Sequence, residues 1–463
     1  MDTSSQLKIP SSIFKAYDIR GIVGDTLTEE IVYQIGRSIG SEAIDRGQQR
    51  IAVSRDGRLS GPAFIKALSD GLRSTGMDVI DIGRVPTPVL YYATHQLKTG
   101  SGVAITGSHN PPAYNGLKIM LGNDTLSGEA ITALHTRIKS GKLYNGTGAW
   151  EAIDVMPDYI ARITSDIKIK RPLKLVVDCG NGVAGELAPK VLRALGCEVS
   201  ELFCEIDGTF PNHHPDPSQP ENLEDLIHAV KEQGADLGLA FDGDGDRLGV
   251  ITSKGEIIWP DRQMMLYAMD VLSRNPGAMI IYDVKCTTNL GKIISQHGGQ
   301  PLMWKTGHSF IKAKLKETGA LLAGEMSGHL FFKERWYGFD DGLYAAARLI
   351  EILSKDERDS STIFAALPET VNTPELKLEM AEGEHFKFMD RLKASASFPG
   401  AKLTTIDGLR ADFPDGWGLA RPSNTTPTVI MRFEADNTDA LQRIQSEFRS
   451  LMLGLDANLK LPF

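Results

Sequence analysis

The sequence predicts an α/β protein made of several domains. At 463 residues the chain is too long for one ordinary hydrophobic core, and about 150 residues per domain suggests roughly three or four units. Over most of the chain, apolar strand-like runs alternate with helical ones, as in mixed or parallel sheets covered by helices. After about Pro368 the strand candidates lie close together with few helices between them, which predicts a separate α+β domain.

The first unit can be followed element by element. Between Thr28 and Gly47, four apolar residues recur at every fourth position, and acids occupy the first turn, so this segment is predicted to be a helix. The next segments read in turn as strand, helix, strand and strand; they are "RIAVSRDGR", "GPAFIKALSDGLRSTG", "MDVIDIG" and "GVAITGS". This alternation indicates a mixed or parallel α/β layer.

The same order of elements returns twice further along the chain. It is found in "LKLVVDCGNGVAGELAPKVLRALGCEVSELF" and in "AMIIYDVKCTTNLGKIISQHGGQPLMW". Three α/β units related by duplication would explain this recurrence, although residue identity between the copies is low. One large sheet is the alternative that spacing leaves open.

The composition narrows the class of protein. A hydrophobic fraction of 41% and a charged fraction of 24% are those of a soluble globular protein. The N-terminus shows no targeting segment and no apolar run is long enough to span a membrane, so we expect a cytoplasmic location. The four cysteines lack metal or redox spacing, and we expect them reduced and buried. A net charge of −9 argues against nucleic acid but still allows a small anionic ligand.

The most specific motif is "AFDGDGDR", which follows an apolar strand. Asp242, Asp244 and Asp246 alternate with glycines, so three carboxylates can converge on a hard divalent cation. Two other interpretations of the motif fit less well. An EF-hand loop would need a glutamate where Ser253 stands. In a solvated acidic turn, three carboxylates beside an apolar strand would repel one another without a cation. Mg²⁺ is favoured over zinc because no cysteine or histidine joins the set. Arg247 follows directly, and a guanidinium beside a metal suits a phosphoryl group.

A serine follows the strand in "AITGSHNPPAYNGLK". Ser108 lacks the G-x-S-x-G context of an acyl hydrolase, and a plain turn serine would be the default interpretation. With the aspartate motif elsewhere in the chain, we interpret Ser108 as the carrier of a phosphoryl group. Lys118 lies ten residues on, past a turn, and is expected to fold back toward it.

Three further loops and one strand connection suit an anionic ligand rich in hydroxyl groups. "AYDIRG" places Tyr17 near Arg20, "KTGHS" contains His308, and "GEMSGH" contains the carboxylate, hydroxyl and imidazole of residues 325, 327 and 329. Each of these loops alone is equally compatible with an ordinary structural role. "ARPSNTTPT" is more specific, because one arginine among several hydroxyl and amide groups fits a phosphate monoester.

These motifs, in this order, resemble those of the α-D-phosphohexomutase superfamily. The matching segments span nearly the whole chain; they are "FKAYDIRG", "TGSHNPPAYNGLK", "DGDGDR", "GEMSGH" and "RPSNTTP". The resemblance implies three similar mixed α/β domains and a C-terminal α+β domain around a central cleft. The corresponding limits are residues 1–153, 154–256, 257–368 and 369–463.

The resemblance also implies roles for individual residues. Ser108 would be the phosphoserine, and Asp242, Asp244 and Asp246 would bind Mg²⁺ together with its phosphate. The remaining catalytic residues would be Arg20, Lys118, Arg247 and His329. Substrate would be bound by Tyr17, Lys285, His308, Glu325, Ser327, Arg421, Ser423, Asn424 and Thr425.

The implied reaction interconverts the 1- and 6-phosphates of mannose and glucose. It proceeds through a phosphoserine enzyme and a hexose 1,6-bisphosphate that reorients, with glucose 1,6-bisphosphate as activator. Exopolysaccharide or lipopolysaccharide synthesis is the implied setting, with phosphosugars as the partners and a monomer as the expected state. Three alternatives stay open: a phosphoglucosamine mutase, a metal-dependent phosphatase and a catalytically silent sugar-phosphate sensor.

Overall fold

The computed structural model describes residues 8–424 and 426–463, which form four separate β-sheets with helices packed against them. The predicted α/β class is therefore confirmed, and one large sheet is excluded for the described part of the chain. Within these residues, no helix combines the length and the apolar character needed to cross a membrane.

The first sheet has seven strands. They are β1 (Ile19–Ile22), β2 (Arg50–Arg55), β3 (Asp78–Arg84), β4 (Gly102–Ile105), β5 (Tyr114–Leu121), β6 (Asp124–Thr125) and β7 (Trp150–Ala152). The helices are α1 (Glu29–Asp45), α2 (Gly61–Arg73), α3 (Thr87–Gln96) and α4 (Glu129–Ser140). The strand order is β1-β5-β4-β2-β3-β7, with β6 beside β5. β4 and β5 run antiparallel inside the sheet, so the loop between them lies at the ends of the strands.

The second sheet has five strands. They are β8 (Lys174–Asp178), β9 (Glu198–Leu202), β10 (Leu237–Phe241), β11 (Leu248–Thr252) and β12 (Ile257–Ile258), in the order β12-β11-β10-β8-β9. The helices are α5 (Met156–Asp166), α6 (Ala188–Ala194) and α7 (Glu224–Gln233). β12 pairs with β11 and lies just beyond the limit drawn at residue 256. The aspartate motif connects β10 to β11.

The third sheet has four strands. They are β13 (Met279–Asp283), β14 (Gln300–Trp304), β15 (Leu322–Gly324) and β16 (Leu330–Phe332), in the order β14-β13-β15-β16. The helices are α8 (Pro260–Arg274), α9 (Thr288–Gln296), α10 (His308–Thr318), α11 (Gly342–Leu353) and α12 (Ser360–Ala365). The "GEMSGH" loop connects β15 to β16, which pair as an antiparallel hairpin.

The fourth sheet is entirely antiparallel, in agreement with the predicted α+β domain. Its strands are β17 (Val371–Asn372), β18 (Leu376–Glu379), β19 (Lys402–Thr404), β20 (Leu409–Phe413), β21 (Gly416–Pro422) and β22 (Thr428–Ala435). Its helices are α13 (Glu384–Ser395) and α14 (Thr438–Leu455). The "RPSNTTPT" segment contains the turn between β21 and β22.

The apolar cores show how the four units are joined. One large core includes residues of the first three units and contains an aromatic group in which the Trp336 and Tyr344 rings stack 4.1 Å apart. The fourth sheet has its own core against α13 and α14. All four cysteines are buried and unpaired, as expected. The fourth unit meets the third through a small apolar cluster of Val284, Trp417 and Leu419 and through polar contacts such as that of Thr306 with Asp407.

Candidate active site

Ser108 lies at the centre of the site, in the loop between β4 and β5. Its side chain is buried, and its φ of 46° is in the left-handed region that non-glycine residues rarely occupy. The Ser108 Oγ donates a hydrogen bond to Asp242 Oδ2 at 3.0 Å. This contact joins the first unit to the aspartate loop of the second.

The aspartate loop approaches Ser108 closely because residue 243 is a glycine. A Cβ on Gly243 would lie 2.3 Å from the Ser108 carbonyl oxygen, so any larger residue would force the two loops apart. Asp242, Asp244 and Asp246 are all fully buried, with carboxylate oxygens within 4.8 Å of one another. The structure thus brings together the serine and the three carboxylates that the sequence separates by more than a hundred residues.

The donor set of this loop fits a hard divalent cation. Asp244 Oδ1 and Asp246 Oδ1 are buried and have no hydrogen-bond partner among the described residues. Burial, and then the carboxylates of Asp246 and Asp244, raise the pKa of Asp242 well above its ordinary value. Two unpartnered carboxylate oxygens beside a third carboxyl group can accept a further cation, and carboxylate oxygens are the ligands that Mg²⁺ prefers.

Lys118 contacts two aspartates of the loop that approaches Ser108. It lies on β5, and its Nζ donates to Asp244 Oδ2 at 2.7 Å and to Asp246 Oδ2. Thr87, at the start of α3, donates to the same Asp244 oxygen at 2.5 Å. The ammonium group is buried, and it offsets part of the negative charge of the loop.

Arg247 and His329 connect the aspartate loop to the "GEMSGH" hairpin. The Arg247 Nε lies 3.7 Å from Asp242 Oδ2 and 3.3 Å from His329 Nε2, and His329 Nε2 also lies 3.4 Å from Asp246 Oδ1. The ring of His329 also lies 3.2 Å from Glu325 Oε2 and 2.9 Å from the Ser327 hydroxyl. The predicted set of residues 325, 327 and 329 is therefore one contiguous group that adjoins the aspartates.

Two histidines in this region differ in charge. Burial lowers the pKa of His329, but the carboxylates of Asp246 and Glu325 outweigh burial and raise it to about 9. Burial, followed by the ammonium groups of Lys312 and Lys118, holds the pKa of His308 well below its usual range. His329 is therefore protonated and His308 neutral at neutral pH.

Arg20 and Tyr17 are two further residues of the first unit that lie in the site. The Arg20 guanidinium donates to the Gly107 carbonyl at 2.5 Å and to Asn110 Oδ1 at 2.6 Å, so it lies against the serine loop. The Tyr17 hydroxyl donates to the Thr306 carbonyl at 3.2 Å and accepts from the Asn424 amide. Tyr17 thus contacts both the third and the fourth units.

The turn between β21 and β22 faces the third unit. The Arg421 Nε donates to Asp407 Oδ2 at 3.0 Å, and the same oxygen accepts from the Thr306 amide at 2.9 Å. Ser423 Oγ accepts from the Thr426 amide at 3.2 Å. Thr425, also predicted to bind substrate, lies outside the described residues.

Lys285 joins this region from the loop after β13. Its Nζ donates to Glu375 Oε1 at 2.6 Å, and the positive charge of the nearby Arg421 acts to lower the pKa of Lys285. Burial lowers the pKa of Lys285, but Glu375 and Asp283 outweigh it and raise the pKa above its ordinary value. Lys285 and Arg421 therefore form a second group of cations, held by Glu375 and Asp407 at the boundary between the third and fourth units.

Several residues of the cleft were not predicted. Asp340 lies 3.5 Å from His308 Nδ1 and accepts from Lys312 at 2.8 Å, while Asp407 and Glu375 orient the two cations of the fourth unit's boundary. Asp340 stands in the pair "DD" before α11, where the second aspartate caps the helix. The sequence signal for Asp340 is therefore its position directly before a helix-capping aspartate.

Four family models match consecutive parts of the chain. They describe the α/β/α domains I, II and III and the C-terminal domain of phosphoglucomutase/phosphomannomutase, and they match residues 11–145, 157–255, 259–371 and 375–451. Together they cover most of the 463 residues.

Individual relatives match over nearly their full length. A phosphomannomutase/phosphoglucomutase of Pseudomonas aeruginosa is 58% identical over 463 residues, covering 100% of both chains. A phosphoglucomutase of Neisseria meningitidis is 55% identical over 448 residues, covering 96% of this chain and 97% of its own. A crystal structure of a Burkholderia thailandensis phosphoglucomutase/phosphomannomutase family protein superposes with a TM-score of 0.94 at 55% identity, covering 98% and 100% of the two chains. The chain belongs to the phosphoglucomutase/phosphomannomutase family.

Proposed function

We propose that this protein is an isomerase that interconverts the 1-phosphate and 6-phosphate of mannose and glucose by phosphoryl transfer through Ser108. The observation that carries the proposal is the 3.0 Å contact between the Ser108 hydroxyl and Asp242, within a buried cluster of three carboxylates in which Asp244 Oδ1 and Asp246 Oδ1 accept no hydrogen bond. A serine that only formed a turn would not need such a cluster. The names of the relatives support mannose and glucose phosphates as the substrates.

The proposed chemistry begins with a phosphoryl group on Ser108 Oγ. The free hydroxyl of the hexose phosphate attacks the phosphorus, the Oγ–P bond breaks, and the hydroxyl proton is transferred to Ser108 Oγ through a side chain acting as base and then acid. The product is a hexose 1,6-bisphosphate. After it turns end for end, its other phosphoryl group returns to Ser108 and the freed sugar oxygen regains a proton.

We assign the reacting end of the cleft to residues that surround Ser108. Asp242, Asp244 and Asp246 would hold Mg²⁺ together with the Ser108 phosphate, and the bound ion would offset charge on the transferring oxygens. Arg20 and Arg247 would contact the phosphoryl group as fixed cations. Lys118 and His329 are the candidates for proton transfer, since both are buried beside the aspartates.

We assign the distal end to the remaining substrate-binding residues. Glu325 and Ser327 would read the sugar hydroxyls, and Tyr17, His308 and Lys285 would line the path between the two ends. The non-reacting phosphate would be held by residues of the fourth unit, which are Arg421, Ser423, Asn424 and Thr425. Because both phosphates of the intermediate are chemically alike, one fixed distal site can accept either orientation.

We further propose glucose 1,6-bisphosphate as the activator, since it can rephosphorylate Ser108 after any loss of the phosphoryl group. We also propose a cytoplasmic monomer that acts on small phosphosugars, and the net charge of −9 opposes association with nucleic acid. The proposed domain limits are 1–153, 154–258, 259–368 and 369–463, with the second limit moved to the end of β12.

A ³¹P NMR time course tests the proposed reaction. Mannose 1-phosphate, Mg²⁺ and a trace of glucose 1,6-bisphosphate are incubated with the protein, and conversion to the 6-phosphate without inorganic phosphate is expected. A growing inorganic phosphate peak would instead identify a phosphatase. An unchanged spectrum with Ser108 shown to be phosphorylated would identify a sensor, and faster turnover of glucosamine 6-phosphate than of both hexoses would identify a phosphoglucosamine mutase.

Reorientation of the bisphosphate requires the fourth unit to move away from the cleft, and the contacts at its boundary suggest where it turns. On the cleft side it is joined to the others by Tyr17 with Asn424 and by Asp407 with Thr306. At the same boundary, Arg410 donates to the carbonyls of Val284 at 2.6 Å and Cys286 at 2.9 Å. We expect the cleft-side hydrogen bonds to break while the segment 366–372 acts as the hinge.

Small-angle X-ray scattering is expected to report this motion. The radius of gyration should fall when glucose 1,6-bisphosphate is added, because the ligand connects the fourth unit to the serine loop. The Tyr17→Phe variant, which lacks the hydroxyl that bonds both Thr306 and Asn424, should have a larger radius than the wild type without ligand. Equal profiles with and without bisphosphate, in protein shown to bind it, would contradict the proposed hinge.

A further inference from the structure

The loop that carries Ser108 is wrapped around one buried guanidinium. Arg58, in the connection between β2 and α2, is 1% exposed. A guanidinium has five N–H groups, and all five of those on Arg58 are used. Their acceptors are Asp56 Oδ2 at 3.2 Å and the carbonyls of Ser108 at 2.8 Å, Asn110 at 2.5 Å, Pro111 at 2.7 Å and Tyr114 at 2.8 Å.

Asp56 fixes the other side of the same loop. One of its carboxylate oxygens accepts from the Gly107 amide at 3.0 Å and from the Thr106 hydroxyl at 2.9 Å. The Thr106 hydroxyl oxygen in turn accepts from the Ser108 amide at 2.8 Å. Asp56 and Arg58 therefore hold the Ser108 N–H, through Thr106, and the Ser108 carbonyl directly.

The two faces of the guanidinium are also occupied. A Cβ on Gly107 would lie 2.2 Å from both the Arg58 Cζ and Nε. The loop backbone can therefore contact the guanidinium because residue 107 is a glycine. The Arg58 Cζ lies 5.1 Å from the centre of the Phe210 ring, which belongs to the second unit. The group thus has a single position, set by both units that contribute to the reacting end of the site.

We propose that Arg58 is a positioning residue that keeps Ser108 in its left-handed conformation and its Oγ directed at the aspartate loop. A backbone conformation that a serine rarely adopts persists only where surrounding contacts impose it, and Arg58 supplies most of these contacts. Arg58 bonds to the Ser108 main chain, so its hold does not depend on whether the Oγ carries a phosphoryl group. This inference rests on the proposed function and deepens it.

The Arg58→Lys variant tests the proposal because it retains the positive charge but not the five N–H groups. Since a displacement of about 1 Å at a reacting atom can reduce turnover about 100-fold, we expect kcat for hexose phosphate interconversion to fall by about that factor. We expect KM to stay within about threefold of the wild-type value, because the distal phosphate site is unchanged. Arg50→Lys is the matched control, since Arg50 is an exposed arginine of the same unit.

Hydrogen exchange measured by mass spectrometry gives a second readout that does not need activity. Amides between residues 106 and 116 should exchange faster in Arg58→Lys than in the wild type, with no change in the third and fourth units. If the wild type failed to interconvert hexose phosphates, the proposed function would be wrong, while this exchange result would still report whether Arg58 holds the loop.

Three results would overturn the proposal. They are a folded Arg58→Lys variant with kcat within about twofold of wild type, a loss that appears mainly in KM, and exchange that rises equally in all four units. If Arg58→Lys does not fold, Thr106→Val carries the same test, because it removes the hydroxyl that joins Asp56 to the Ser108 amide while keeping the side-chain shape. Unchanged kcat in that variant would then overturn the proposal.

Discussion

Replacing Ser108 with alanine is expected to abolish hexose phosphate interconversion. Removing a nucleophile from a site where several groups act together costs roughly 10⁵-fold or more in turnover, because the remaining groups have nothing to transfer to. The Asp242 carboxylate would lose the hydroxyl that it now accepts from at 3.0 Å, but the loop would keep its main-chain bonds to Arg58. We therefore expect the variant to fold and to bind substrate with nearly wild-type affinity.

The measurement is the ³¹P NMR time course together with the intact mass of the protein after incubation with glucose 1,6-bisphosphate. Wild-type protein should gain the mass of one phosphoryl group and Ser108→Ala should not. Ser140→Ala is the matched control, since Ser140 is an exposed serine of the same unit that only donates to the Arg137 carbonyl. Turnover by Ser108→Ala within about tenfold of wild type would show that another residue carries the phosphoryl group.

The fold was largely predictable because its elements follow local patterns. The helix over Glu29–Asp45 begins after Thr28, whose hydroxyl accepts from the Ile31 amide, and its apolar residues face one core. The closely spaced strands that the sequence predicts after about Pro368 are present as β17 to β22. Short strands such as β1 were missed, since "YDIRG" reads as a loop until β5 is present to pair with it.

Contacts across unit boundaries were the part that the sequence could not provide. The turn after Ser108 predicts that Lys118 folds back toward the serine, but no local spacing predicts that its ammonium group contacts two aspartates of another unit. Asp407 stands in an Asp-Gly pair that indicates a turn, and this hides its bond to the Thr306 amide of the third unit. Contacts of this kind depend on how the units pack against one another, and the local spacing of residues in the sequence does not predict that packing.

Removing the divalent metal is expected to be the second large effect. A bound metal supplies several kcal/mol of charge stabilisation to phosphoryl transfer, and each 1.36 kcal/mol corresponds to a factor of ten, so chelation with EDTA should lower turnover about 10³-fold. Excess Mg²⁺ should restore it. Asp246→Asn should lose activity to a similar extent and should not be rescued at the Mg²⁺ concentration that saturates the wild type. Turnover that survives EDTA would contradict the metal assignment.

Lys118 makes the metal assignment testable without activity. Its Nζ donates to Asp244 Oδ2 and Asp246 Oδ2, two carboxylates that would bind the ion, so the ammonium group and Mg²⁺ compete for the same negative charge. Breaking a buried ion pair by removing one partner costs about 3–5 kcal/mol, and Lys118→Met should therefore unfold at a lower temperature than wild type in EDTA. Mg²⁺ should recover more of the stability of this variant than of the wild type, and calorimetric titration should show tighter Mg²⁺ binding.

Lys66→Met, at an exposed ion pair of the same unit, is the control. Equal Mg²⁺ affinity in Lys118→Met and wild type would mean that the ion binds elsewhere than among these aspartates.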